Sequence, residues 1–326
     1  MARGEFETIA ALFVPLTRGD RAALGLKDDA ACLRIPPSDE LIVTADALVA
    51  GVHFFEKDPP SDIARKALRT NLSDLAAKGA KPIGYFLSIA RPRSWSDARL
   101  AAFARGLAAD GKTFAIPLLG GDSTSTPGPL TIAITALGTM RRGTMLHRSG
   151  AKAGDDLWVS GCIGDGALGL MIAQGKLRGL PAKHRAALLA RYRLPQPRLA
   201  LGRALVGIAH ASMDVSDGLV ADLGHICETS RLGATIELDA VPFSAAAQAA
   251  IVHDGRLRLA AIGGGDDYEL LFAAPPSARQ AVLRASGRAK TPVARIGHFS
   301  VGRAKVRVLD TQSRVLRLAQ AGFTHY

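Results

Sequence analysis

Segments of strand length alternate with segments of helical period along both halves of this chain, and that alternation narrows its fold to layered α/β or α+β units. In the first half, Glu5 to Leu16 carries Phe6, Ile9, Ala10 and Phe13 at helical spacing and ends near Pro15. Leu41-Ile42-Val43-Thr44 reads as a strand running into Ala45-Asp46. Behind Pro59-Pro60, Ser61 is placed to cap a helix through Ile63, Ala67, Leu68, Leu72 and Leu75, closed by Gly79 and Pro82. Strands are expected over 83–90, 115–119 and 130–137, with a helix over 96–110. The second half opens on the strand Leu157-Trp158-Val159-Ser160. Helices near 166–174, 182–192, 198–209 and 218–229 follow, with strands near 212–215, 234–238, 268–273, 293–297 and 305–309. A polar, basic stretch from Gly143 to Gly154 separates the halves, so domains of 1–145 and 146–326 are expected, in keeping with 326 residues.

Composition excludes several classes. With 48% hydrophobic and 21% charged residues the chain is a folded globular protein, not a disordered one. No apolar run approaches the ~18 residues of a membrane span, so no membrane partner is expected. The opening Met1-Ala2-Arg3-Gly4-Glu5-Phe6-Glu7 lacks the apolar core of a secretory signal. Cys32, Cys162 and Cys227 are odd in number, widely spaced and without a Cys-x-x-Cys pair, which suits a reducing cytoplasm and indicates neither a disulfide framework nor a zinc site. A net charge of +12 raises nucleic acid as a partner. The basic residues, however, are scattered, with small groupings at Arg91-Pro92-Arg93, Arg141-Arg142 and 303–317, and lack the clustered pattern with interleaved aromatics that nucleic-acid binding predicts. No nucleic-acid partner is expected.

The acids carry more information than the bases. Nine of the 29 lie in short segments rich in small residues: Asp28-Asp29, Asp46, Asp74, Asp122, Asp214, Asp217 and Asp266-Asp267. Carboxylates gathered by a fold repel one another and coexist only with cations or protons. An all-oxygen set without His or Cys suits Mg²⁺ held for phosphoryl chemistry. Taken singly, an Asp beside Gly or Ser also serves as a turn former or helix cap. Asp74 does not fit that reading, because it sits inside the apolar helical segment Leu68 to Ala77. Asp155-Asp156 reads as a plain turn. Gly120-Gly121, expected directly after a strand, and Gly263-Gly264-Gly265 would let backbone approach a phosphate closely. No Walker A loop, dinucleotide fingerprint or protein-kinase signature is present. His53 reads either as a phosphate contact or as a histidine at the core edge. Arg148 reads either as a phosphate clamp or as a solvated arginine in a basic loop.

Taken together, these segments resemble the thiamine-monophosphate kinases, within the superfamily of aminoimidazole-ribonucleotide synthetase and selenophosphate synthetase. The resemblance runs nearly end to end. It passes through Asp28-Asp29-Ala30-Ala31, Asp46-Ala47-Leu48-Val49-Ala50-Gly51-Val52-His53-Phe54, Asn71-Leu72-Ser73-Asp74-Leu75 and Gly120-Gly121-Asp122-Ser123-Thr124. It continues through Arg148-Ser149-Gly150-Ala151, Pro195-Gln196-Pro197-Arg198, Asp214-Val215-Ser216-Asp217-Gly218, Asp222-Leu223-Gly224-His225 and Gly264-Gly265-Asp266-Asp267-Tyr268-Glu269-Leu270, and closes at Gly322-Phe323-Thr324-His325-Tyr326.

The resemblance implies a two-domain fold like that of aminoimidazole-ribonucleotide synthetase, with an N-terminal sheet domain for ATP, Mg²⁺ and dimerisation. A C-terminal α/β domain would complete the nucleotide and substrate site. It implies transfer of the γ-phosphoryl of ATP to thiamine monophosphate, with several Mg²⁺ ions and a homodimer that pairs its N-terminal sheets. Metal ligands are then expected at Asp29, Thr44, Asp46, Asp74, Asp122, Asp214 and Asp217, with Asp46 and Asp122 at the catalytic centre. Gly121, Asp122, Arg148 and Ser216 are implied nucleotide contacts; His53, Asp266 and Phe323 are implied substrate contacts. Three positions depart from the common pattern: Lys27 stands where Gly is usual, Ala45 where Thr is frequent, and Asp266 where Glu is usual. A sister enzyme acting with ATP on a different acceptor is the alternative reading. Selenophosphate synthesis fits less well, because the first cysteine is Cys32.

Overall fold

The computed structural model describes residues 4–316 together with 318 and 322. Its chain divides into two compact units, 1–75 with 80–143, and 76–79 with 144–326.

The first unit is built on a four-stranded sheet in the order β1-β4-β2-β3. Its strands are β1 (Asp39–Val49), β2 (Lys81–Pro92), β3 (Leu118–Thr126) and β4 (Thr131–Arg141). β4 runs antiparallel to both neighbours, whereas β2 and β3 are parallel and joined through a helical crossover. Before the sheet, α1 (Glu5–Thr8) passes into a π-helical turn over Ile9–Phe13 and a 3₁₀ turn over Val14–Thr17. One regular helix over 5–16 was expected. Pro15 has no N–H for an α-helical ladder, and the Val14 amide bonds back to Ile9, five residues away. α2 (Pro60–Lys78) starts with Pro in its first position and Asp62 in its first turn, both suited to the positive end of the helix. It buries Ile63, Ala67, Leu68, Leu72 and Leu75 at helical spacing. α3 (Asp97–Phe114) is capped by Ser96, whose side chain accepts from the Arg99 amide, and ends on Ala115 in the left-handed conformation.

The second unit holds a seven-stranded mixed sheet in the order β11-β10-β7-β9-β5-β8-β6. The strands are β5 (Asp156–Ser160), β6 (Ala211–Asp214), β7 (Gly233–Glu237), β8 (Leu270–Ala274), β9 (Val293–Ser300), β10 (Val306–Leu309) and β11 (Val315–Leu316). The helices are α4 (Asp165–Ala173), α5 (Ala182–Arg193), α6 (Leu199–Leu205), α7 (Leu219–Ser230), α8 (Ala245–His253), α9 (Leu257–Gly263) and α10 (Arg279–Ala289). Both sheet faces are covered. Leu157, Val159, Met213, Leu271 and Ala273 pack with Leu219, Leu223 and Ile226 of α7. On the opposite face, Trp158, Leu270 and Phe272 pack with Leu201 and Leu205 of α6 and with Val282 and Ala285 of α10. Alternate residues of β5 and β8 therefore serve two cores, which is why both strands read as continuous apolar runs.

The helices α8, α9 and α10 are not among the expected elements. α8 is alanine-rich and nearly uniform around its axis, whereas α10 is amphipathic, with Val282 and Ala285 buried three residues apart. Asp155 closes a turn, its amide donating to the Lys152 carbonyl at 3.0 Å, but the Asp155-Asp156 pair does more than that. Asp155 meets the His210 ring at 2.9 Å, and Asp156 opens β5 and accepts from Arg279 Nε at 2.6 Å.

Candidate functional site

Candidate residues occur in both units. In the first, Thr44 and Asp46 are two apart on β1, so their side chains share one face of the strand. That face meets α2: Thr44 Oγ1 donates to Asp74 Oδ2 at 2.5 Å. The mid-helix Asp74 is thereby explained, as a side chain reaching the sheet. Burial pushes the Asp46 carboxyl up to about 6, and the charge of Asp74 pushes the same way. A hydrogen bond from Thr70 works against both. Two carboxylates and a hydroxyl at a half-buried spot form an oxygen-only donor set that gains by taking up a hard cation.

His53 stands at the end of the same strand, in a tight turn. Its Nδ1 accepts from the Val49 amide at 3.0 Å, and its carbonyl accepts from the buried Lys66 Nζ at 3.1 Å.

A second group lines a cavity of about 400 Å³ whose wall includes Phe13, Asp28, Asp29, Phe86, Gly121 and Asp122. Asp29 and Asp122 are exposed here. Gly120-Gly121-Asp122 does not follow a strand, as the sequence suggested. These residues lie inside β3, which runs on to Thr126 beside β2. At Gly121, with φ of +156°, an added Cβ would sit 1.8 Å from the Leu87 carbonyl oxygen. Glycine is required because the two strands approach so closely there. Asp46 pairs with Ile134, Ile134 with Leu87, and Leu87 with Gly121, so one rung crosses the whole sheet. β1 and β3 are its two edges, which puts Asp46 and Gly121 on the order of 14 Å apart at the usual inter-strand spacing. Thr44, Asp46 and Asp74 thus form one cluster, and Asp29, Gly121 and Asp122 form another.

In the second unit, Asp214 ends β6 and is buried, and Ser216 and Asp217 occupy the turn into α7. Asp222 Oδ2 accepts from the amides of Asp217 and Gly218, at 3.1 and 3.0 Å. Burial raises its carboxyl to about 7, helped by the Asp217 charge and resisted by these amide bonds. Asp217, Asp222 and His225 offer ligand atoms that all lie within 4.8 Å of one another. Asp222 and His225 were not among the expected site residues; their signal is a spacing of three on a helix whose N-terminus carries Asp217.

Asp266, at φ +70°, donates its amide to the Ser216 carbonyl at 2.8 Å. This brings an expected substrate contact beside an expected nucleotide contact. Neighbouring Asp267 is fully buried and accepts from the amides of Gly164 and Gly166 at 2.7 and 2.9 Å. Burial nonetheless lifts its carboxyl well above the usual range. Arg148 is exposed, and the carbonyl of the adjoining His147 accepts from the Ser212 amide at 2.8 Å, which ties this segment to β6. Phe323 lies outside the described residues.

Comparison with known proteins bears on the family and the fold. Residues 27–140 match the family model of the AIR synthase related protein, N-terminal domain, and residues 152–309 match that of the C-terminal domain. The chain is 47% identical to the thiamine-monophosphate kinase of Caulobacter vibrioides over 91% of its own length and 84% of that protein. Among solved structures it resembles the thiamine-monophosphate kinase of Stenotrophomonas maltophilia K279a, with a TM-score of 0.83 and 40% identity over 90% of this chain and 94% of that one. It also resembles AaThiL complexed with AMPPCP and TMP, with a TM-score of 0.77 and 26% identity over 100% of this chain and 99% of that one. The matched domains and the end-to-end identity place this chain in the thiamine-monophosphate kinase family of AIR synthase related proteins.

Proposed function

We propose that this protein transfers the γ-phosphoryl group of ATP to the phosphate of thiamine monophosphate, giving thiamine diphosphate and ADP. The observation that carries this reading is the match, over the full chain, to a relative complexed with AMPPCP and TMP. The 47% identity to a thiamine-monophosphate kinase supports it.

The chemistry asks little of a general base. The acceptor is a phosphate, already ionised at neutral pH. One of its oxygens attacks the γ-phosphorus, and the bond from that phosphorus to the β-γ bridging oxygen breaks, with ADP as the leaving group. The barrier lies in bringing two anions together and holding them in line. Mg²⁺ held by carboxylates of the site would supply positive charge that offsets the repulsion between the phosphates. Thr44, Asp46 and Asp74 would hold it in one cluster, Asp29 and Asp122 in a second, and Asp214 and Asp217 in the C-terminal unit. The raised Asp46 carboxyl supports this assignment, because an acid pair that repels itself gains most from a cation. Gly121 and Ser216 would present backbone and hydroxyl groups to the nucleotide, with Arg148 as a phosphate clamp. His53, Asp266 and Phe323 would bind the acceptor.

In this reading residues 1–145 bind ATP and Mg²⁺ and form the dimer, and residues 146–326 complete the nucleotide and substrate site. Two features support a homodimer. Leu41 and Val43 on edge strand β1 are 45% and 54% exposed, and Ala45 and Ala47 continue that apolar face. The two acid clusters also lie at opposite edges of one sheet, so a reaction centre that draws on both is more readily completed by two copies than within one. Among the described residues no helix is long and apolar enough to cross a membrane. Free Cys32, Cys162 and Cys227, together with a need for ATP, support a cytoplasmic setting.

The test is detection by mass spectrometry of thiamine diphosphate formed from ATP and thiamine monophosphate, with and without EDTA. Product that requires the divalent cation is expected. No product with thiamine monophosphate, while another acceptor consumes ATP, would replace this reading with a sister activity of the superfamily.

A further inference from the structure

Directly after Asp266 the chain makes an unusual investment in buried charge. Glu269 is fully buried. Its Oε2 accepts from Ser160 Oγ at 2.6 Å and from Arg198 Nε at 2.7 Å, while Oε1 accepts from Arg191 Nη2 at 3.0 Å and also from Arg198 Nη2. Ser160 Oγ in turn accepts from the Leu270 amide at 2.8 Å, so one carboxylate and one hydroxyl secure two consecutive residues. Two positions earlier, Asp267 is pinned to the amides at the start of α4. Buried ion pairs add little net stability over apolar packing, so stability alone is a weak reason for this cluster.

The backbone between these anchors supplies a stronger reason. Asp266 and Tyr268 both hold positive φ, +70° and +53°, a conformation that Asp tolerates but that is costly for a bulky residue such as Tyr268 unless its surroundings hold it. The amides of Asp266 and Tyr268 donate to the carbonyls of Ser216 and Val215, and the Val215 amide donates to the Glu269 carbonyl, each at 2.8 Å. A Cβ added at Gly265 would lie 2.0 Å from the Ser216 carbonyl oxygen, so the two segments touch without space between them. Pulled inward on both sides of Tyr268, the chain has no freedom to rotate Asp266 away from Ser216.

We propose that Glu269, clamped by Arg191 and Arg198, is a positioning residue that holds Asp266 in register with Ser216 and so sets the affinity for the phosphorylated acceptor. The proposal rests on the substrate role assigned to Asp266 above. It concerns the full-length enzyme, and its test compares wild type with Glu269→Gln, Asp266→Ala and the double variant, measuring kcat, KM for thiamine monophosphate and Tm. Glu269→Gln is expected to raise KM for the acceptor about tenfold while changing kcat much less, because misplacement of a binding group by a fraction of an ångström acts on positioning. In the double variant KM is expected to be no higher than with Asp266→Ala alone, since the second substitution acts through a contact already lost. Ser160→Ala, which leaves both arginine pairs intact, is expected to give a smaller rise with the same coupling. It decides the matter if Glu269→Gln does not fold. A lowered Tm with unchanged KM, or KM effects that multiply in the double variant, would overturn the proposal and leave the cluster a structural element only. Wild-type KM in Asp266→Ala would instead overturn the substrate role of Asp266, and the proposal with it.

Discussion

The Val49 amide donates to Nδ1 of His53 at 3.0 Å. A backbone N–H can only donate, so Nδ1 must be an acceptor and the ring proton of the neutral imidazole resides on Nε2. His53 is therefore oriented to work through Nε2 as a donor.

That orientation separates two conservative substitutions. Glutamine places its amide nitrogen near the position of Nε2, whereas asparagine places its amide oxygen near Nδ1. If His53 donates to the acceptor phosphate, His53→Gln retains more activity than His53→Asn, with the difference in KM for thiamine monophosphate. If its main task is to hold Val49, steady-state kinetics will show the reverse order.

Asp46 predicts an unusual pH response in metal-free protein. Its folded-state pKa is raised from 3.8 to about 6, so the native state holds this proton more tightly than the unfolded chain does. The associated stability is fully present below about pH 4 and declines as pH rises through 6, by up to about 3 kcal/mol for a shift of this size. In EDTA, Asp46→Asn flattens this decline and raises Tm at pH 7.5. With Mg²⁺ the same variant loses turnover and most of the stabilisation that the ion gives the wild type. Calorimetry at several pH values, with and without Mg²⁺, checks both parts; an unchanged pH profile would remove the basis for the raised carboxyl.

Gly121 admits no side chain. Gly121→Ala drives a methyl group against the Leu87 carbonyl, 1.8 Å from its ideal position, and forces β3 away from β2. A cost of roughly 3 kcal/mol is expected from strain and overpacking together. Gly120→Ala, whose added Cβ would meet only the Phe86 ring at 3.0 Å, should cost less. Chemical denaturation of the two variants compares them directly.

Opposite-edge acids make a shared active site testable. Asp46→Asn and Asp122→Asn are each expected to abolish turnover in a folded protein. Mixed and allowed to exchange subunits, the two inactive proteins would form heterodimers with one site carrying both substitutions and one carrying neither. Random exchange then restores about a quarter of wild-type activity, since half the dimers are mixed and half of their sites are intact. No recovery despite demonstrated exchange would show that each protomer builds its site alone. Val43→Lys on the exposed face of β1 should yield a monomer by analytical ultracentrifugation.

Much of this protein is determined locally. The buried stripe of α2 and the two-sided apolar runs of β5 and β8 could be read from residue spacing, because a helix or strand repeats its environment at a fixed period. The phosphoryl-transfer function was legible through the resemblance that these aspartate segments carry in order along the chain, since each segment taken singly also suits a turn or a helix cap. What depends on distant partners was not legible. Asp74 made sense only once Thr44, 30 residues earlier, was seen to reach it across the strand–helix contact. Gly120-Gly121 looked like a loop because a β-strand through two glycines draws its stability from β2 alongside, not from its own propensity. Asp222 and His225 differ in this respect, for they stand within one short helix of Asp217 and their spacing alone could have grouped them. Nothing in the residues next to Glu269 signals the buried ion pairs that Arg191, Arg198 and Ser160 form with it from three other segments. Period and composition are properties of neighbours in sequence, whereas burial and the charge beside a carboxylate are properties of neighbours in space, and only the tertiary structure decides those.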